Sequence, residues 1–424
     1  MCISIVRETP EAIERGNLCG RWHEMLTALR RRSSSICPQP SAASSRPVQN
    51  GKHNLYIPVR EWEFKMKVLH VVGARPNFMK AAPVYRALAG RGHEQTLVHT
   101  GQHYDTLMSD VFFKALEIPN PDESLNVGSG SHAQQTASIM SRFEPVVLAH
   151  RPDIVLVYGD VNSTVAAALV CSKIGIRVGH VESGLRSFDR SMPEEINRLI
   201  TDQLADLLFT PSVDGDENLA REGIAKEKVF FVGNVMIDTL IRFLPKADEV
   251  FPELKAELSL DAFGLVTLHR PSNVDEESVF LPMLEVLDSL SEKLPLLFPV
   301  HPRTRQRWSA RLERCNPNLR VIAPLGYLEF LALQKNAGVV ITDSGGIQEE
   351  TTYLGTPCLT LRENTERPIT LTLGTNSLIG RDWELLRRKF CEALDGRQKV
   401  TGRPPFWDGK ASERIAEILT RQAS

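Results

Sequence analysis

The chain has no cysteine pair in a C-x-x-C arrangement and no two histidines at metal-ligand spacing on one predicted element. Its seven cysteines, Cys2, Cys19, Cys37, Cys171, Cys315, Cys358 and Cys391, are scattered and odd in number. Such a pattern excludes a disulfide framework and a structural zinc site, and reads as free thiols in a reducing compartment. No apolar run approaches the ~20 residues that span a bilayer. The N-terminus also lacks an apolar core followed by a small-residue cleavage site, so neither secretion nor a membrane partner is expected, and the setting expected is cytoplasmic. Positive charge is not in excess either: 50 Lys and Arg stand against 52 Asp and Glu, for a formal net charge of −2. Without a basic stripe to displace counterions, nucleic acid is not an expected partner. What remains is a globular composition, 42% hydrophobic and 24% charged over 424 residues, enough for about two or three domains with sizeable cores.

Residues 1–65 differ from all that follows. Arg30-Arg31-Arg32 precedes the tract SSSICPQPSAASSRP, which cannot bury enough apolar surface to order itself. A disordered extension is expected there, with room for a short helix over Glu11 to Leu29. At Met66 the run MKVLHVVG opens as a strand, and the functional part of the chain is expected to begin at that point.

From Lys67 short apolar runs alternate with helix-length segments. VLHVVG, TLVHTG, IVLVYGD, VGHVESG, LLFTPS and VFFVGN form a first series, separated by segments such as Met79 to Ala89, Ala133 to Phe143 and Val165 to Ile174. Unalternated runs of four to six apolar residues mark strands buried on both faces of a parallel sheet. Around Leu244 to Asp248 the strands pause, and FGLVTLHR, LLFPVHP, LRVIAP, VVITDSGG and PCLTLR then restart the pattern. The expectation is an α/β protein of two facing, doubly wound, Rossmann-like domains, 66–238 and 239–405. A terminal helix within 406–424, opened near Asp408-Gly409, is placed to pack back on the first domain.

Ligands of open α/β sheets bind at the carboxyl ends of the strands. Those ends carry Gly73-Ala74-Arg75-Pro76, Gly101-Gln102-His103, Gly159-Asp160, His180-Val181-Glu182, His269-Arg270, His301-Pro302-Arg303 and Ser344-Gly345-Gly346. Together they make a charged cleft with a cationic and a carboxylate side. Arg75 sits in a turn fixed by Gly73 and Pro76 before a helix that carries Lys80, and both reach toward phosphate; a solvated Lys80 is an equal reading. His70 and His99 lie inside apolar runs and read as core histidines. His269 and His301 close their strands beside Arg270 and Arg303, as phosphate or acid–base candidates. Asp160 and Glu182 end strands in the cleft, where unpaired charge is costly. Glu194 and Glu195 follow Pro193 in the first turn of a helix; for Glu195 a helix-start carboxylate is sufficient explanation. Carboxylates gathered around one pocket can be driven apart in pKa, so that one acts as acid and another as base.

The stretch Val339 to Arg362 reads strand, turn, helix, with Ser344-Gly345-Gly346 at the turn and Gly355 and Pro357 closing the helix. Glycines there let backbone N–H groups approach an anion, and the helix dipole favours negative charge. Plain turn chemistry would give the same three residues. The neighbouring Glu349-Glu350 adds a carboxylate suited to a ribose diol while phosphates sit on the amides.

Ten motifs in order, GARPNFMKAAP, TGQHYD, VYGDVNST, GHVESGLRS, MPEEINR, FVGNVMIDTL, HRPSNVD, FPVHPRT, TDSGGIQEE and LRENTERP, resemble the non-hydrolysing UDP-N-acetylglucosamine 2-epimerase family. The resemblance runs from Met66 to the C-terminal helix, with Ser183 where the family usually shows Ala. It implies the GT-B architecture, a homodimer, a UDP-sugar substrate and no cofactor or metal. The implied reaction is reversible C2 epimerisation of UDP-N-acetylglucosamine to UDP-N-acetylmannosamine through 2-acetamidoglucal. Asp160, Glu182 and Glu194 are then expected around the sugar, with their acid and base roles open. His269 is expected to act with Arg75, Ser344 and Gly345 on the departing diphosphate, Gly346 to complete the turn, Glu350 to hold ribose, and Lys80, His301 and Arg362 to line the site. Gln102 and His103 lie in the loop implicated where family members are activated by a second substrate molecule. A UDP-2,3-diacetamido uronic acid as substrate, a GT-B glycosyltransferase and a non-catalytic UDP-sugar sensor are the alternatives; the last two leave the three carboxylates without evident use.

Overall fold

The computed structural model describes residues 65–102, 116–396 and 402–423. The expected N-terminal extension up to residue 64, and His103 with its proposed activating loop, lie outside the described residues. One sheet has seven strands: β1 (Lys67–Val72), β2 (Glu94–His99), β3 (Glu123–Ser124), β4 (Ile154–Tyr158), β5 (Arg177–Val181), β6 (Leu207–Thr210) and β7 (Val229–Phe231), in the order 3-2-1-4-5-6-7. The other has six: β8 (Gly264–Thr267), β9 (Leu296–Pro299), β10 (Leu319–Ile322), β11 (Val339–Thr342), β12 (Cys358–Thr360) and β13 (Asn376–Leu378), in the order 10-9-8-11-12-13. Every pairing is parallel. Each sheet is doubly wound, as its apolar runs require. In β4, Ile154, Leu156 and Tyr158 join the core on one face while Val155 and Val157 join the core on the other. With both faces covered by helices, no polar alternation remains.

The helices extend past their sequence signals. The first runs Arg75–Ala89, because Pro76 in its opening turn loses no helical hydrogen bond. The helix His132–His150 continues beyond Phe143 through Pro145. More consequential is a single helix Val235–Glu257, which runs unbroken through the Leu244 to Asp248 pause and through Pro245 and Pro252. Its buried Leu240, Phe243, Ala247 and Leu254 outweigh the amide bonds the prolines remove. The division expected at 238/239 falls inside this helix. The helix Ala411–Ala423 packs on Arg75–Ala89 and touches Val235–Glu257. Asp238 accepts the N–H groups of Ala411 and Ser412 at 3.1 and 2.7 Å, and Trp407 Nε1 donates to the Pro211 carbonyl at 2.9 Å.

Strand order reverses between β1 and β4 in one sheet and between β8 and β11 in the other. A ligand crevice forms at such a reversal, because the flanking connections leave in opposite directions. The turns after these four strands begin at Gly73, Gly159, Leu268 and Asp343, so they carry Arg75, Asp160, His269 and Ser344.

Candidate active site

A cavity of about 340 Å³ lies at the reversals, walled by Arg75, Lys80, Asp160 and Glu194 from the first half and His269, Ser344, Gly345, Gly346 and Glu350 from the second. On the second side the helix Gly345–Leu354 starts directly at the wall, with Ser344 as its N-cap. Its first amides have no helical partners and face an anion-sized space. Gly345 is required here for room: a Cβ would stand 2.5 Å from Arg367 Nη1 and 2.9 Å from Glu366 Oε1.

Asp343, fully buried, organises the neighbouring turn. It accepts the N–H of His269 at 3.1 Å, that of Arg270 at 2.9 Å and the Asn273 side-chain amide at 3.1 Å. Its Oδ1 lies 2.9 Å from His269 Nδ1, which leaves the Nε2 edge of this half-exposed ring for a ligand. Burial pushes the Asp343 carboxyl up, but the bonds from His269 and the Arg270 amide outweigh it and hold the group below the usual range. Glu350 is buried beside Tyr327, whose hydroxyl donates at 3.2 Å; burial raises its pKa from 4.5 to about 7. Burial likewise raises Glu349, against the pull of Arg367, while Asn234 donates to it at 2.8 Å.

The carboxylates of the first half are held differently. Glu182 follows β5 at φ 71°, a left-handed conformation rare for a side-chain-bearing residue. Its two oxygens are gripped by Lys80 and, at 3.2 Å, by Arg367 from the opposite half. Gly159, at φ 63°, lets this pair close: a Cβ would meet Lys80 Nζ at 2.7 Å and Glu182 Oε2 at 3.1 Å. Asp160 pairs with Arg198, and its carbonyl accepts from Asn197 at 2.9 Å. Glu195 is buried, takes Arg198 at 2.7 Å and accepts the N–H groups of Ser187 and Phe188 at 2.9 and 3.0 Å, so it fixes the preceding loop. Glu194, half-buried in the opening turn of the helix Pro193–Leu204, is the one of the three expected carboxylates without an ion-pair partner among the described residues.

The remaining expected residues stand at the margin. Lys80 lines the cavity with its ammonium committed to Glu182. Arg362 is buried, 2.8 Å from Glu366, with Nη1 lacking a hydrogen-bond partner among the described residues. His301 lies outside the cavity wall, exposed, its Nδ1 accepting the Arg303 N–H at 3.3 Å as cap of the helix Pro302–Leu312. His70 is a core residue, 2.6 Å from the Tyr158 hydroxyl, its pKa lowered to about 4 by burial. Sequence reasoning gave no role to Arg198, Asp343, Glu366 or Arg367. Arg367 bridges Glu349 at 2.9 Å, Glu366 at 2.5 Å and Glu182. It lies in the motif LRENTERP, seven residues past β12, where nothing in the sequence names its partners.

The family model described as UDP-N-acetylglucosamine 2-epimerase matches residues 86–420. The UDP-N-acetylglucosamine 2-epimerase of Methanocaldococcus jannaschii is 42% identical over 365 residues, covering 84% of this chain and 99% of the relative. The UDP-2,3-diacetamido-2,3-dideoxy-D-glucuronate 2-epimerase of Pseudomonas aeruginosa is 40% identical over 366 residues, covering 84% and 100%. The crystal structure of the Methanocaldococcus jannaschii enzyme in complex with UDP-GlcNAc and UDP aligns with a TM-score of 0.78 at 42% identity, over 84% of this chain and all of that one. Given this breadth of match and the two doubly wound sheets, the chain belongs to the UDP-N-acetylglucosamine 2-epimerase family.

Proposed function

We propose that the chain interconverts UDP-N-acetylglucosamine and UDP-N-acetylmannosamine. The carrying observation is one cavity with a helix N-terminus and His269 on one wall and Asp160 and Glu194 on the other, backed by Glu182. The diphosphate lies on the amides of Ser344 to Gly346 with Arg75 and His269 beside it, Glu350 takes the ribose hydroxyls, and Tyr327 and Phe330 give the base an apolar wall. In the first step a carboxylate removes the C2 proton. The C1–O bond breaks with its electron pair leaving on the diphosphate, and a C1=C2 bond forms. In the second step the diphosphate oxygen re-adds to C1 and a carboxylic acid protonates C2 on the opposite face. Two groups of opposite protonation state are needed. Glu194, without an ion-pair partner among the described residues, takes one of these roles and Asp160 the other. Glu182, held by Lys80 and Arg367, fixes the charge around them. Developing charge on the departing diphosphate meets preformed donors, each worth ~10²–10³-fold.

Residues 66–238 and 239–405 act as the two halves, with 406–424 returning to the first, and a cytoplasmic homodimer is the working form. Incubation with UDP-N-acetylglucosamine in D₂O, followed by NMR, is expected to give deuterium at C2 together with UDP-N-acetylmannosamine. Absence of C2 exchange would sink the reading.

A further inference from the structure

The mechanism leaves one buried titratable cluster unused: His180 in β5, Asp202 in the helix Pro193–Leu204, and Arg186 with Glu222 behind them. We propose that His180 and Asp202 are positioning residues that lock the turns carrying Asp160 and Glu182 into a single geometry. The proposal deepens the epimerase reading and rests on it.

His180 and Asp202 are both fully buried. The imidazole Nε2 lies 2.8 Å from the carbonyl oxygen of Gly159, the residue before Asp160. A carbonyl only accepts, so Nε2 carries a proton and donates. Nδ1 lies 2.6 Å from Asp202 Oδ1. The other oxygen, Oδ2, accepts the N–H of Gly184 at 3.1 Å, two residues after Glu182, and the Arg186 guanidinium at 2.7 Å. Arg186 is itself clamped by Glu222 at 2.7 and 2.6 Å. One imidazole–carboxylate unit thus grips the turn after β4 by a carbonyl and the turn after β5 by an amide.

Such a grip acts where the chain is freest and where it is strained: the two glycines have conformational freedom to lose, and Glu182 holds a costly conformation. Gly159, Glu182 and Gly184 have φ values of 63°, 71° and 80°. For Glu182, which carries a Cβ, the left-handed conformation is costly and persists only where surroundings over-determine it. Burial alone would push Asp202 up, yet His180 and Arg186 keep it below the ordinary carboxylate range, so it remains an acceptor on both oxygens. Neither His180 nor Asp202 lines the cavity, which separates this role from catalysis.

A pair that served stability alone would change unfolding without changing the turnover of folded enzyme. The deciding experiment uses the full chain and three variants: Asp202→Asn, His180→Asn, which loses the donor toward Gly159, and His180→Gln, whose amide nitrogen replaces Nε2. The rate of C2 deuterium exchange per folded enzyme is expected to fall about 10–100-fold in the first two, as sub-ångström misplacement of reacting groups does. UDP affinity, set on the opposite wall, is expected to stay within about twofold, and His180→Gln to recover most of the loss. Should Asp202→Asn fail to fold, the two His180 variants decide. Wild-type exchange rates in folded variants, or a parallel loss of UDP affinity, would overturn the proposal. Amide hydrogen exchange of 158–162 and 181–185 supplies a readout independent of turnover. Both segments should loosen together in His180→Asn; if only one or neither does, the locking role fails. Wild-type enzyme that shows no C2 exchange would instead defeat the epimerase reading, while the joint loosening still decides the lock.

Discussion

On the wall built by β8 and β11, the donors are backbone: the amides at the start of Gly345–Leu354 and a turn held by the buried Asp343. Beside them stands the half-exposed His269, and the wall's acids Glu349 and Glu350 are buried and raised in pKa. On the wall built by β4 and β5, the polar groups are side chains, and two of the three expected carboxylates are clamped by cations. The contrast is between a wall of backbone donors and a wall of paired charges, in which Glu194 is the carboxylate of the three without an ion-pair partner among the described residues. Binding and turnover should therefore separate by wall.

The strongest way to break that separation is Glu194→Gln. C2 exchange is expected to fall ~10²–10⁴-fold with UDP affinity retained, the loss typical of a missing acid–base group; calorimetry showing UDP affinity lost in parallel would erase the distinction. Next comes Arg367→Met, which removes a cation shared by both walls, leaves Glu182 with Lys80 alone and takes the ion-pair partner from Glu349. A buried ion pair broken from one side costs about 3–5 kcal/mol, so the urea midpoint should drop accordingly; an unchanged midpoint would show that the walls are not joined through Arg367.

Glu350→Gln sharpens the comparison through pH. A carboxyl raised from 4.5 to about 7 in the fold binds its proton more tightly than the unfolded chain does. Its stabilising contribution is complete below the unfolded pKa and is lost as pH rises through about 7. The ligand-free wild type should therefore lose roughly 1–3 kcal/mol more than Glu350→Gln between about pH 5 and pH 8, measured by urea unfolding. UDP, whose ribose hydroxyls favour the ionised carboxylate, should bind wild type better as pH rises through the same window, and the variant with a flatter profile. The smallest effect belongs to Asp238→Asn, outside the cavity lining. It weakens a helix cap, for a cost of about 0.5–2 kcal/mol, and C2 exchange per folded enzyme should not move.

Much of this was legible in the chain because the physics is local. Runs such as IVLVY and VVIT are apolar throughout since both faces are covered, and a glycine pair between strand and helix marks an anion-sized turn. The edge strands β3 and β13 leave little signal, because they are only two and three residues long, mostly polar, and held by a neighbour's backbone. The pause at Leu244 to Asp248 lies inside a helix, which tertiary burial carries through Pro245 and Pro252. Arg198 and Arg367 were illegible for another reason. A charged side chain reads as solvated unless its partner is known, and Arg367 finds Glu182 at a separation of 185 residues.

The helix Val235–Glu257 leaves the first half and ends before β8, and the chain comes back to the first half at Trp407 and Ala411–Ala423. Asp238 stitches the returning strand of covalent chain to the outgoing one, and Gly409 lies so close that a Cβ would be 2.8 Å from Ile241. Two crossings pinned side by side restrain the halves along a line where a single linker would tether them at a point, and the Arg367–Glu182 contact at 3.2 Å joins them again at the cavity.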